Sequence, residues 1–142
     1  MKVVIIDYGA GNIQSIRFAL ERLGATAVLS HDADEIQQAS HVIFPGVGEA
    51  SSAMEKLRAT GLDAIIPTLT QPVLGICLGM QLLCDTTEEG GVNGLGIIPG
   101  KVVRFSNKVK VPQMGWNTIS NLQGLLFKDI KEGEKVIVEH LI

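Results

Sequence analysis

The chain has 142 residues, 46% of them hydrophobic, enough for one domain with a substantial core. Lys and Arg number 12 against 15 Asp and Glu, a formal net charge of −3 with no basic run able to track a phosphate backbone, which argues against nucleic acid as a partner. No apolar stretch reaches the ~20 residues of a membrane-spanning helix, and MKVVIIDYGAGN turns to glycine and a charged Asp7 where a signal peptide would stay apolar. A cytoplasmic location without membrane association is expected.

KVVIID (2–7) is a near-continuous apolar run rich in β-branched residues, the composition of a strand buried on both faces. After Gly9 and Gly11 turn the chain, Ile13, Ile16, Leu20 and Leu23 recur at helical spacing, with Gly24 as a stop. TAVLS (26–30) reads as a second strand and DADEIQQA (32–39) as a short helix capped by Asp32. HVIFP (41–45) is a third strand ending in the turn PGVG. Ala50, Ala53, Met54 and Leu57 define a helix, and Leu62, Ile65 and Ile66 a second one that Pro67 breaks. PVLGI (72–76) is the fourth strand, leading into a helix that starts near Leu78.

This alternation predicts an α/β fold: an open, mostly parallel sheet with helices on both faces, binding its ligand at the carboxyl ends of the strands. Past Thr86 the character changes. TTEEGGVNGLGIIPG reads as loop, KVVRF and WNTIS as short strands, LQGLLFKDI as a helical turn or two, and KVIVE as a last strand. The second half is expected to be antiparallel additions to one domain spanning 1–142.

The cysteines are Cys77 and Cys84. If one helix carries both, their Cα atoms stand ~10 Å apart, too far for a disulfide. Cys77 lies between Gly75 and Gly79 where a strand meets a helix, the Gly-x-Cys-x-Gly form of a nucleophile elbow. Free N–H groups at the helix start would favour its thiolate. A small buried cysteine at a glycine-rich strand end fits the same pattern, and core packing is the expected role of Cys84. A thioester-forming nucleophile also needs oxyanion donors: the N–H of Leu78, and a second from the PGVG turn (45–48) at the same sheet edge.

DYGAGN has two glycines of a dinucleotide fingerprint, but Gln14 replaces the third, and the acidic candidates Asp32 and Asp34 fall beyond the second strand. The histidines, His31, His41 and His140, form no readable dyad with a carboxylate and are expected at the surface.

GICLGMQLL resembles the nucleophile elbow of the class I (triad) glutamine amidotransferases, whose domain is flavodoxin-like. Together with DYGAGN, FPGVG, GLGIIPGKVVRF and VPQMGWN (111–117), the chain is similar to their branch of glutaminase subunits of imidazole glycerol phosphate synthase. The resemblance implies that Cys77 attacks the side-chain amide of L-glutamine. It makes the N–H groups of Leu78 and of the Gly46–Val47 segment the oxyanion hole, and Gln81 and Gly46 holders of the substrate. It also implies a cyclase partner with a (β/α)8 barrel that receives the ammonia in histidine biosynthesis. Asn12, Met114 and Trp116 match positions near that interface, and no metal or cofactor is implied.

Two departures shape the expectation. No His-Pro-Glu segment follows the elbow, and Gln113 stands where the family usually has His. The domain is therefore expected to be a truncated form with its C-terminal part missing, lacking glutaminase activity as it stands. A non-catalytic binding domain, a nucleotide-binding flavodoxin-like module and a thiol esterase or peptidase are the alternatives.

Overall fold

The computed structural model describes residues 1–108 and 110–140. The chain divides into two compact units, Met1–Val103 and Arg104–Ile142.

The first unit is built on a four-stranded parallel sheet of β1 (Lys2–Ile6), β2 (Thr26–Ser30), β3 (His41–Phe44) and β4 (Val73–Gly75), in the order β2-β1-β3-β4. The apolar runs of β1 and β3 lie where both faces are covered. Val3 to Ile6 are all buried, and Val4 pairs with Val28 on one side and Val42 on the other.

Helices cover both faces unequally. On one face Val4, Ile6, Val42 and Phe44 pack with residues from α2 (Ala33–Gln37), α3 (Ala50–Thr60), α4 (Leu62–Ile65) and α5 (Leu78–Leu82). On the other, Val3, Ile5 and Ile43 meet only half-buried residues, among them Ile13, Ile16 and Leu20 of α1 (Ile13–Arg22), a helix with no fully buried side chain. The expected caps form locally: Asp32 accepts the Glu35 N–H at 2.8 Å. Gly61, in the left-handed region at φ 71°, ends α3, and Pro67 confines the chain after α4 to a 3-10 turn at Ile66–Thr68.

The helix after Cys77 is shorter than its apolar pattern suggests. It stops at Leu82, and Cys84 begins β5 (Cys84–Thr87), so the two cysteines do not share a helix. The cause is long-range hydrogen bonding: Leu95 N–H donates to Leu82 O at 2.7 Å, and Ile97 and Ile98 N–H donate to Leu83 O at 2.9 and 2.8 Å. These carbonyls are satisfied by a crossing segment rather than by another helical turn.

That segment, expected as loop, carries β6 (Val92–Asn93) and the start of β7 (Ile98–Val102), which begins earlier than KVVRF and ends within it. The sheet order is β6-β5-β7. These three strands form a sheet of their own, in which only β6 pairs antiparallel with β5 and β7 runs parallel to it, so the additions are not all antiparallel.

In the second unit β8 (Gln113–Thr118) and β9 (Lys135–His140) form an antiparallel pair in which Trp116 faces Ile137. The stretch 122–130 yields one 3-10 turn, Leu125–Phe127.

Candidate active site

Parallel strands put the loops after β3 and β4 at the same end of the sheet. The Ile76 N–H donates to Phe44 O at 3.0 Å, carrying the ladder one residue past β4, and the chain then turns sharply at Cys77. Cys77 has φ 54° and ψ −120°, a conformation costly for a residue with a side chain and held only where its surroundings enforce it. The glycines do the enforcing. A Cβ on Gly79 would overlap the Phe44 carbonyl oxygen, and one on Gly75 would lie 2.6 Å from the Met80 Cα. With no Cβ at either position, α5 sits down against β3 and β4, and the thiol is left exposed rather than buried.

The PGVG turn meets this elbow directly. A Cβ on Gly46 would lie 2.8 Å from Gly79 N and 2.9 Å from the Leu78 Cβ, so the two loops are in backbone contact. Leu78, at the start of α5, and Val47, in the turn, each have an N–H that donates to no acceptor among the described residues. The DYGAGN loop packs behind the same turn, with Gly11 in the left-handed region at φ 107° and its Cβ position 2.9 Å from the Pro45 Cβ. The glycine that suggested a phosphate loop is thus accounted for by close approach of Pro45.

Comparison with known proteins gives the family. The glutamine amidotransferase class-I family matches residues 4–142. The chain belongs to the class I glutamine amidotransferases. It is 52% identical to "Imidazole glycerol phosphate synthase subunit HisH" of Bacteroides fragilis (strain YCH46), over 99% of this chain and 73% of that protein. It is 47% identical to the protein of the same name from Oceanobacillus iheyensis, over 91% of this chain and 66% of that one. Among solved structures, one titled "Crystal structure of glutamine amidotransferase" superimposes with TM-score 0.67 at 20% identity, covering 81% of this chain and 62% of the other. A putative GMP synthase subunit from Thermoplasma acidophilum gives TM-score 0.64 at 17% identity, covering 99% of this chain and 65% of the other. The chain thus spans less than two thirds of either solved chain, and these two likenesses speak for the fold.

Other residues of this amidotransferase chain fall around the elbow or away from it. Gln81 is half-buried on α5, one turn past the thiol, with its N–H on Cys77 O at 3.1 Å. Cys84 is half-buried rather than in the core, its sulfur 3.9 Å from Met80 O. His41 starts β3, at the end of the sheet opposite the elbow, and is exposed. His31 follows edge strand β2, three strand spacings or ~14 Å from β4, and is exposed as well. The side chain of His140 lies outside the described residues. Asn12 caps α1, its side chain accepting the Ser15 N–H at 3.4 Å. Met114 and Trp116 are 60% and 69% exposed on β8. Among the described residues no group of His, Cys, Asp and Glu is arranged to hold a metal.

Two residues had no functional reading in the sequence. Tyr8, buried beside Phe44 with ring centroids 5.6 Å apart, donates its hydroxyl to Pro45 O at 2.8 Å. Burial, and secondarily the charge of Cys77, push its phenol well above the usual tyrosine range. Glu89, in the TTEEGG stretch, accepts from the Ala50 N–H at the start of α3, yet its Oε2 is shielded and has no partner among the described residues. Desolvation, and then the neighbouring Glu49, raise its pKa against the lowering by that hydrogen bond. An acidic residue before two glycines reads as solvated loop, and an aromatic after a buried strand reads as core.

Proposed function

We propose that this chain is a glutaminase domain in which the Cys77 thiolate attacks the side-chain amide carbon of L-glutamine. The carbonyl π pair moves onto oxygen, where the N–H groups of Leu78 and Val47, in the Gly46–Val47 segment, receive it. Collapse of that intermediate expels the nitrogen, which takes up a proton and leaves as ammonia. The glutamyl thioester that remains is hydrolysed by water to glutamate and the free thiol. Gly46 and Gln81 hold the substrate. The observation that carries this reading is an exposed thiol at positive φ, locked between close-packed glycines beside two unengaged N–H groups.

The relatives named as imidazole glycerol phosphate synthase subunits extend the proposal to a place in histidine biosynthesis. The ammonia would pass to a cytoplasmic cyclase subunit with a (β/α)8 barrel, met through Asn12, Met114 and Trp116. The exposure of Met114 and Trp116 supports that role, and no metal or cofactor enters the chemistry. The distance of His31 and His41 from the elbow favours a second reading, in which the 142 residues bind glutamine or the cyclase without turning glutamine over.

Labelling tests the first reading. The glutamine-shaped diazoketone 6-diazo-5-oxo-L-norleucine is expected to alkylate Cys77, to be slowed by excess glutamine, and to be abolished by Cys77→Ser. Peptide mass spectrometry that finds Cys84 labelled equally, or no protection by glutamine, would overturn it.

Glu89 belongs in the same proposal as the carboxylate that receives the α-ammonium of glutamine, because it meets the Ala50 N–H three residues past Val47 and its Oε2 has no partner among the described residues. Glu89→Gln keeps an oxygen for Ala50 but removes the charge, and is expected to weaken glutamine protection about tenfold or more. The same change should not lower stability. The folded-state pKa is raised, so the fold holds this proton more tightly than the unfolded chain, and stability from this group falls as pH rises from the unfolded value through the folded one. Glutamine removes that dependence. Unchanged protection in the labelling assay would exclude the ammonium role.

A further inference from the structure

The turn that presents Val47 needs something to hold it. Val47 itself is 54% exposed and contributes little packing. Beneath it, the hydroxyl of Tyr8 donates to the Pro45 carbonyl from 37 positions away in sequence. The same oxygen lies 2.7 Å from the point a Gly46 Cβ would occupy, and Gly79 N lies 2.8 Å from that point. The Tyr8 hydroxyl and the first turn of the elbow therefore converge on Gly46. A phenylalanine at position 8 would supply the same ring to the core; the hydroxyl serves the turn.

We infer that Tyr8 is a positioning residue for the oxyanion loop: by holding the Pro45 carbonyl it fixes the 45–46 peptide against the elbow and limits where the Val47 N–H can point. With that peptide held, the remaining freedom lies at Gly46 and Val47. A tyrosine hydroxyl is a donor across the physiological range, and burial beside Phe44, then the charge of Cys77, raise its pKa further. The inference rests on the glutaminase reading of Cys77 and adds a residue whose contribution passes through the loop.

The test compares wild type with Tyr8→Phe in the 142-residue chain, using the γ-semialdehyde of glutamate. The Cys77 sulfur bonds to the aldehyde carbon, the π pair becomes an oxyanion, and that oxygen takes the thiol proton, giving a hemithioacetal. Capture depends on the oxyanion donors, whereas alkylation by iodoacetamide reports the thiol alone. Tyr8→Phe is expected to weaken aldehyde capture about five- to tenfold, the loss of one hydrogen bond. Iodoacetamide alkylation should be unchanged, and amide hydrogen exchange at Gly46, the buried residue of the turn, should be at least about fivefold faster. Ile36→Val, a core change on α2 with comparable loss of stability and the hydroxyl intact, should leave capture alone. Equal capture by wild type and Tyr8→Phe, or equal weakening by Ile36→Val, overturns the inference. If neither protein captures the aldehyde, the glutaminase reading fails instead, and unchanged exchange at Gly46 would still sink the role of Tyr8.

Discussion

Gly79→Ala is expected to cost about 3 kcal/mol or more of folding stability and to abolish selective labelling of Cys77. The added methyl group would stand on the Phe44 carbonyl oxygen and 2.7 Å from its carbon, both backbone atoms of a buried strand that cannot rotate aside. Relief requires α5 to lift away from β3. That movement would lengthen the Ile76 to Phe44 hydrogen bond and separate Leu78 from the Gly46 turn, the contacts that hold the elbow. Gly91→Ala is the control. Unlike Gly79, which is helical, Gly91 lies in the left-handed region at φ 58°, but it has no atom within 4 Å of its Cβ position, so it should lose only the ~1 kcal/mol of an unfavourable backbone conformation. Urea unfolding of the two variants gives the comparison. A loss at Gly79→Ala no larger than at Gly91→Ala would mean that the close approach of α5 to Phe44 is relieved at little cost.

The legible parts of this molecule are those in which local pattern and tertiary role coincide. β1 and β3 read as apolar runs because they are buried, β2 and β4 carry apolar residues although Val28, Leu29 and Leu74 are exposed, and each strand ends at a Gly or Pro turn or a capped helix that the chain advertises. Cys77 reads as a nucleophile because the glycines needed for close backbone approach stand at fixed offsets from it. Where a partner distant in sequence decides the outcome, the pattern misleads. Leu82, Leu83 and Cys84 continue an apolar helical run, yet the 94–98 segment takes their carbonyls and converts the run into a strand. Glu89 and Tyr8 were hidden for the same reason: the interest of one is an unpaired oxygen, and of the other a hydrogen bond to Pro45. Neither is a property of neighbouring residues.

Ammonia release from glutamine by the 142-residue chain is expected to run at least about a thousandfold below ordinary enzymatic rates of 1 to 10³ s⁻¹. The elbow can place a thiolate and receive an oxyanion, but turnover also needs a proton for the departing nitrogen and a base for the water that cleaves the thioester. Among the described side chains, His31 is ~14 Å away across the sheet and His41 is at its opposite end, and no His-Pro-Glu segment occurs in these residues. Labelling and turnover should therefore separate: diazoketone modification of Cys77 persists, since it draws on the thiolate and the substrate pocket, while steady-state glutamate and ammonia stay near the Cys77→Ser background. Supplying a cyclase subunit would not restore the rate unless that subunit brought its own base to the thiol. Ammonia release at several per second by the purified chain, lost on Cys77→Ser, would show that a base other than these two histidines serves the elbow.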